Sequence, residues 1–171
     1  MRCMALFLAL VVAPAAAQSV LRQSTTPPGR EGRKELRKET LFSGAWTANV
    51  AKSQRHPNHL FQSATLRFAV AGDTVTLTHG GVNASGQKES GTTTLQADGK
   101  EHPASEQVPG VVVVTRWVGS HVLETVAKKD GRTVGQGTYE VSADGKMLTA
   151  KVWGTDASGA RFEHVIVFDR N

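Results

Sequence analysis

From Leu41 to the C-terminus, apolar and polar side chains trade places at every second residue over much of the chain. Phe42, Gly44, Trp46, Ala48 and Val50 share one side of a first extended run, and Phe162, His164, Ile166 and Phe168 share one side of the last. A period of two marks β-strands, whose successive side chains point to opposite faces. Six short signals punctuate the runs: Gly72-Asp73, Ser85-Gly86, Asp98-Gly99, Asp130-Gly131, Asp144-Gly145 and Ser158-Gly159. Gly and Asp adopt the positive-φ conformations of tight hairpin turns, so this cadence predicts an antiparallel meander. Strands are expected at 42–50, 64–71, 73–82, 87–96, 111–117, 120–128, 132–142, 146–154 and 160–169. That is roughly nine, against a mean sheet of about five or six. No part of this region sustains a 3.6-residue apolar period, so the class is all-β.

Several strands carry apolar groups on both faces. Val111, Val113, Thr115 and Trp117 oppose Val112, Val114 and Arg116, and Met147, Thr149, Lys151 and Trp153 oppose Leu148, Ala150, Val152 and Gly154. A single sheet with one wet face does not fit that pattern. A sheet closed on itself does, because closure buries one face and removes the edges. The expected architecture is a single antiparallel up-and-down β-barrel of roughly eight to ten strands. Its interior would mix polar and apolar groups, which leaves both a hollow and a packed barrel open. Two echoes run through the meander: Asn83-Ala84-Ser85-Gly86 with Asp156-Ala157-Ser158-Gly159, and Ala97-Asp98-Gly99-Lys100 with Ala143-Asp144-Gly145-Lys146. Reuse of a few turn solutions accounts for them, with a duplicated ancestral unit as the alternative.

The chain before Leu41 has a different character. Residues 1–17 open with Arg2, continue through an apolar run at 4–12 and end on Ala15-Ala16-Ala17, the pattern of a signal peptide with a small-residue cleavage site. The apolar run is far below the roughly 20 residues that span a bilayer. The expected location is therefore secreted or periplasmic, with no transmembrane segment after cleavage. Cleavage also removes Cys3, the one cysteine in the chain, and with it any disulfide or thiolate metal ligand. Residues 18–40 are polar, contain Pro27-Pro28-Gly29, and read as a flexible basic linker with one or two helical turns near 33–39. The barrel domain is expected at 41–171.

Most of the net charge of +5 lies before the barrel: from Thr40 onward 13 Lys and Arg face 12 Asp and Glu. A nucleic-acid partner needs a basic face with stacking aromatics or a groove-entering element, and neither is present in the pattern.

At Phe42-Ser43-Gly44-Ala45-Trp46 the chain resembles the calycin superfamily of lipocalins and fatty-acid-binding proteins, in which Gly-x-Trp opens the first strand of a hairpin meander. It is also similar to small secreted bacterial lipocalin-like proteins through Gly44, Trp46, Asn49, Lys52 and Ser53. The resemblance implies structural barrel-closure roles for Gly44, Trp46 and a basic residue of the last strand. Arg170 is the matching position, ahead of Arg161. It further implies a small lipophilic ligand in the interior and a monomer. Two departures stand out: residues 52–62, with Pro57, poorly match a helix-turn-helix lid, and the disulfides of many lipocalins are absent.

The residues themselves offer no catalytic signature. There is no Gly-x-Ser-x-Gly elbow, phosphate loop or His-Glu-x-x-His. His56 and His59 stand three apart in a loop, and His79, His121 and His164 lie elsewhere, but no spacing completes a metal site. No cofactor is expected. Candidate interior residues for a ligand are Trp117, Tyr139, Trp153, Phe162 and His164. The functional expectation is a β-barrel that binds a small hydrophobic or amphipathic ligand. The alternatives are a packed cell-envelope interaction domain, and an enzyme on the same barrel with His164 as its first candidate base.

Overall fold

A computed structural model describes residues 30–57, 60–105, 108–155 and 159–171. The expected signal peptide at 1–17 and the first part of the linker lie outside these residues. The first described element is helix α1 (Arg30–Phe42), followed by ten strands. These are β1 (Gly44–Ala48), β2 (Phe61–Ala71), β3 (Thr74–Asn83), β4 (Lys88–Gln96), β5 (Asp98–Pro103), β6 (Val111–Val118), β7 (Val122–Lys129), β8 (Arg132–Val141), β9 (Met147–Thr155) and β10 (Arg161–Arg170). They form one antiparallel sheet in the order β4-β3-β2-β1-β10-β9-β8-β7-β6-β5. All neighbours are consecutive in sequence except β1 and β10, which zip the first strand to the last through Trp46 and Arg170, Thr47 and Asp169, and Ala48 and Phe168. β4 packs beside β5 and β6 without a ladder, so the barrel is nearly closed.

One strand was not foreseen. Residues 98–103 form β5 although their sequence, Asp-Gly-Lys-Glu-His-Pro, shows no apolar alternation. Asp98-Gly99 is not a hairpin tip: it sits inside β5, where the register slips between Asp98 and Glu101, and Gly99 takes φ +75°. An extra residue with positive φ is how a strand bulges. Polar side chains suit β5 because it is an edge strand, and edges carry charge to discourage further pairing. By contrast, Gly72-Asp73, Ser85-Gly86, Asp130-Gly131 and Asp144-Gly145 each lie between consecutive strands.

Helix α1 runs longer than the one or two turns expected near 33–39, and it closes one end of the barrel. Phe42 is fully buried and meets Phe68 and Trp117 edge-to-face, with ring centres 5.8 and 5.0 Å apart. Lys38 is buried as well, its Nζ 5.2 Å from the centre of the Trp117 ring. Glu39 Oε1 accepts a hydrogen bond from Gly72 N at 3.0 Å, and Ser43 Oγ accepts from Val70 N at 3.1 Å, which pin the helix end to the β2–β3 hairpin.

Trp46, Phe68 and Phe168 are fully or almost fully buried beneath this cap. The guanidinium of Arg170 lies 4.4 Å from the centre of a Trp46 ring and donates to the carbonyls of Leu41 and of Ser43, the latter at 3.3 Å. A cation placed on the last carbonyls of a helix satisfies acceptors that have no partner within the helix and opposes the helix dipole. Gly44, at φ +135°, lets the chain turn from helix into β1; a Cβ there would stand 3.5 Å from Arg170 Nη1.

Between β1 and β2 the chain forms a single 3-10 turn, Val50–Lys52, capped by Asn49, whose side chain accepts from Lys52 N. Asn49 Nδ2 donates to Asp169 Oδ2 at 2.7 Å, Lys52 Nζ reaches Asp169 Oδ1 at 3.4 Å, and Val167 N donates to Ser53 Oγ at 3.0 Å. The Asn-x-x-Lys-Ser element is thus a clasp that holds the start of the β1–β2 connection to β10.

Candidate ligand cavity

Because the register is antiparallel throughout, inward positions of different strands can be read layer by layer from the helix-capped end. On β3 they are Val75, Leu77, His79, Gly81; on β4, Leu95, Thr93, Gly91, Glu89. On β8 they are Val141, Tyr139, Gly137, Gly135; on β9, Leu148, Ala150, Val152, Gly154. β3, β8 and β9 run from bulky apolar groups at the capped end to glycine at the other, and β4 runs through Gly91 to Glu89. The result is a cavity of about 420 Å³ in the outer part of the barrel. That lies within the roughly 300–1,000 Å³ of small-molecule sites. At about 30 Å³ per molecule it would hold on the order of a dozen waters.

Several of these glycines also allow close approach. A Cβ on Gly154 would stand 2.9 Å from Phe162 Cζ, and one on Gly137 2.7 Å from Thr125 Oγ1. One on Gly91 would stand 2.5 Å from His79 Cε1, and one on Gly81 would collide with the Ser63 carbonyl oxygen. Gly135 is different: its Cβ would meet nothing nearer than the Trp153 carbonyl oxygen at 3.4 Å.

The walls are largely apolar, from Phe61, Ala64, Leu66, Val111, Ala127, Val134, Val152, Phe162 and Ile166, with a few polar groups among them. Tyr139 stands on the floor, its ring 5.5 Å from that of Phe68. Its hydroxyl makes no hydrogen bond among the described residues, and burial pushes its pKa up to about 12. His164 is one inward position nearer the mouth than Ile166. Its Nδ1 accepts the backbone N–H of His56 at 3.1 Å, so in this arrangement the ring is neutral and its proton sits on Nε2. Burial also holds the pKa of His79 below the ordinary imidazole value, with Glu89 pulling less strongly the other way. Glu89 Oε1 accepts from Asn83 Nδ2 at 2.8 Å near the mouth.

Of the candidate interior residues, Tyr139, Phe162 and His164 come together around this hollow. Trp117 also faces inward but belongs to the capped end, against Phe42 and Lys38. Trp153 takes the outward alternation of β9, paired with exposed Glu163 and with Gln136, and meets the cavity only at its rim. Alternation along β9 assigns it that face, because Ala150, Val152 and Gly154 fill the inward positions. Of the loop histidines, His59 lies outside the described residues. Among the described residues no three His, Cys, Asp or Glu side chains gather closely enough to hold a metal ion. His121 Nδ1 instead pairs with the Val141 carbonyl at 3.1 Å. Glu163, adjacent to His164, points away from the cavity. Reasoning from sequence passed over Phe61, Leu66 and the inward glycines. The period-two pattern carried that signal, had the glycines within strands been read as missing side chains as well as turn formers.

No protein-family model matches the sequence, and no curated protein matches it. Solved structures do. A mutant of the fluorescent protein UnaG superposes with a TM-score of 0.52 at 17% identity, over 77% of this chain and 97% of the other. A fatty-acid-binding protein from Schistosoma mansoni, in complex with arachidonic acid, gives 0.53 at 14% identity, over 78% and 98%. A zebrafish ileal bile acid-binding protein, complexed with cholic acid, gives 0.50 at 14%, over 77% and 99%. No described helix is long and apolar enough to cross a membrane. With ten up-and-down strands, first zipped to last and one end capped by a helix, the protein has the calycin-like barrel fold.

Proposed function

We propose that this protein binds a small hydrophobic or amphipathic ligand inside the barrel, and that it does so outside the cytoplasm after removal of residues 1–17. The observation that carries the reading is the apolar cavity of about 420 Å³ at the end of the barrel opposite the helix. A small barrel that served only as a packed scaffold gains nothing from such a void, because an unfilled cavity forfeits dispersion contacts and transfer energy. The fatty-acid and bile-acid complexes of the structural neighbours support the same use of the interior.

Among the described residues the one carboxylate lining the cavity, Glu89, is exposed near the mouth, held by Asn83 and coupled to His79, and Glu163 faces outward. Native mass spectrometry of protein purified without denaturation, with displacement of an environment-sensitive lipophilic dye, tests the reading. A co-purifying small molecule and saturable displacement are expected. Protein that carries nothing and displaces no dye would overturn it. N-terminal sequencing of the exported chain tests the location, with Gln18 expected as the first residue.

A further inference from the structure

We infer that the cavity selects an uncharged lipid whose hydroxyl or carbonyl oxygen is bound by Tyr139 at the floor, and that it discriminates against the corresponding carboxylate. This rests on the proposed ligand-binding function and sharpens it.

Charge inside the cavity is the deciding feature. Among the described residues no Lys or Arg lines it. The Arg55 guanidinium, beside the lining residue Phe61, is already engaged: Nη1 donates to the Phe61 carbonyl at 2.7 Å and the group lies over the Phe61 ring. Neither imidazole supplies a positive charge. His164 accepts the His56 N–H on Nδ1, which an imidazolium could not do. His79 is held toward its neutral form by burial. The one formal charge among the described lining residues is negative, Glu89, exposed near the mouth. A carboxylate entering this hollow would lose its water and gain no cation, which is strongly unfavourable. A neutral oxygen faces no such cost.

The floor offers what such an oxygen needs. Tyr139 is the only tyrosine of the chain; it is half-buried on the cavity lining, and its hydroxyl makes no hydrogen bond among the described residues. With no protein acceptor competing for it, the hydroxyl is free to donate to a ligand oxygen that displaces cavity water. Above it, the inward positions of β9 from Ala150 to Gly154 extend roughly 13 Å along the strand. Val152, Phe162 and Ile166 give an apolar path there for the rest of the molecule.

The experiment uses three probes that share one fluorescent polyene chain: cis-parinaric acid, its methyl ester and its primary alcohol, titrated at pH 7.5. The ester and alcohol are expected to bind at least about tenfold more tightly than the acid, the equivalent of about 1.4 kcal/mol. Tyr139→Phe should weaken the two neutral probes about fivefold and leave the acid nearly unchanged. Glu89→Gln should strengthen the acid several-fold and leave the neutral probes unchanged, a response that a general loss of structure cannot mimic. An acid that binds as tightly as the alcohol overturns the charge selection, and a Tyr139→Phe variant that keeps full affinity for the alcohol overturns the role of the hydroxyl. If no probe binds and none displaces a co-purified molecule, the ligand-binding function itself fails. If the acid binds well, only this inference does.

Discussion

The capped end and the open end of the barrel are built from the same strands, yet they treat their inward positions in opposite ways. At the capped end Phe42, Trp46, Phe68, Leu123, Leu148 and Phe168 are at most 1% exposed, and Arg170 seals the tryptophan beneath the helix. At the open end the inward positions of β3, β4, β8 and β9 dwindle to Gly81, Gly91, Gly135, Gly137 and Gly154. The first region resembles an ordinary close-packed core, in which every methylene contributes. The second gives up packing to keep space. One end stabilises the fold so that the other can be hollow.

Substitutions can break or sharpen this contrast, and the largest effect belongs to the capped end. Trp46→Ala should cost about 3–5 kcal/mol of unfolding free energy, because it removes a fully buried indole and leaves a cavity under α1. Urea denaturation measures this, and a loss below about 1 kcal/mol would contradict the packed account. Arg170→Ala removes the cation over Trp46 and two bonds to the helix end, so it should cost on the order of 2 kcal/mol. Hydrogen exchange adds a spatial test: amides of α1 should lose protection before those of β7 and β8.

At the open end, Gly135→Val should reverse the pattern. Its branches would fill part of the hollow and reduce lipophile affinity at least about tenfold, the size of a lost 1.4 kcal/mol. Stability should hold within about 1 kcal/mol, since glycine within a strand is itself destabilising by roughly 0.5–1 kcal/mol. A variant that binds as well as the parent would mean the ligand does not use this space.

Titration gives two smaller contrasts. Tyr139 is the only tyrosine, so tyrosinate absorbance reports it alone; the folded protein should titrate near 12. Between pH 10 and about 12 the unfolded chain loses this proton and the folded one keeps it, so stability should fall across that window. His79 acts at the acid side. Its folded pKa lies below 6.5, so as pH drops from 6.5 the unfolded chain takes the proton first and stability declines until the folded ring also protonates. His79→Gln should flatten that slope in pH-dependent thermal melts.

Much of the barrel was legible along the chain because strands and hairpins are local. Alternation in 161–170 and the dipeptides at 72–73 and 130–131 specify backbone conformation from near neighbours alone. β5 escaped because an edge strand needs only a partner, β6, and no apolar face. Its charges find local and cross-strand partners instead: His102 meets Asp98 at 2.9 Å, and Glu101 meets Lys128 at 2.9 Å. The full length of α1 escaped for a related reason. Its sequence is strongly polar, and what holds it is remote: Trp117 beneath Lys38, Gly72 on Glu39, and Arg170 on its last carbonyls.

The sequence alone determined an all-β meander, its alternating faces and the Gly-x-Trp start, since each depends on spacing within a few residues. Only the tertiary structure decided that the barrel is packed at one end and hollow at the other. Gly81, Gly91, Gly137 and Gly154 are far apart in the chain, and each alone is a small deficit. Antiparallel register brings all four toward the same end, opposite the helix, where they admit the neighbours that lean over them, Gly135 leaves room for a Cβ, and Tyr139 lines the hollow.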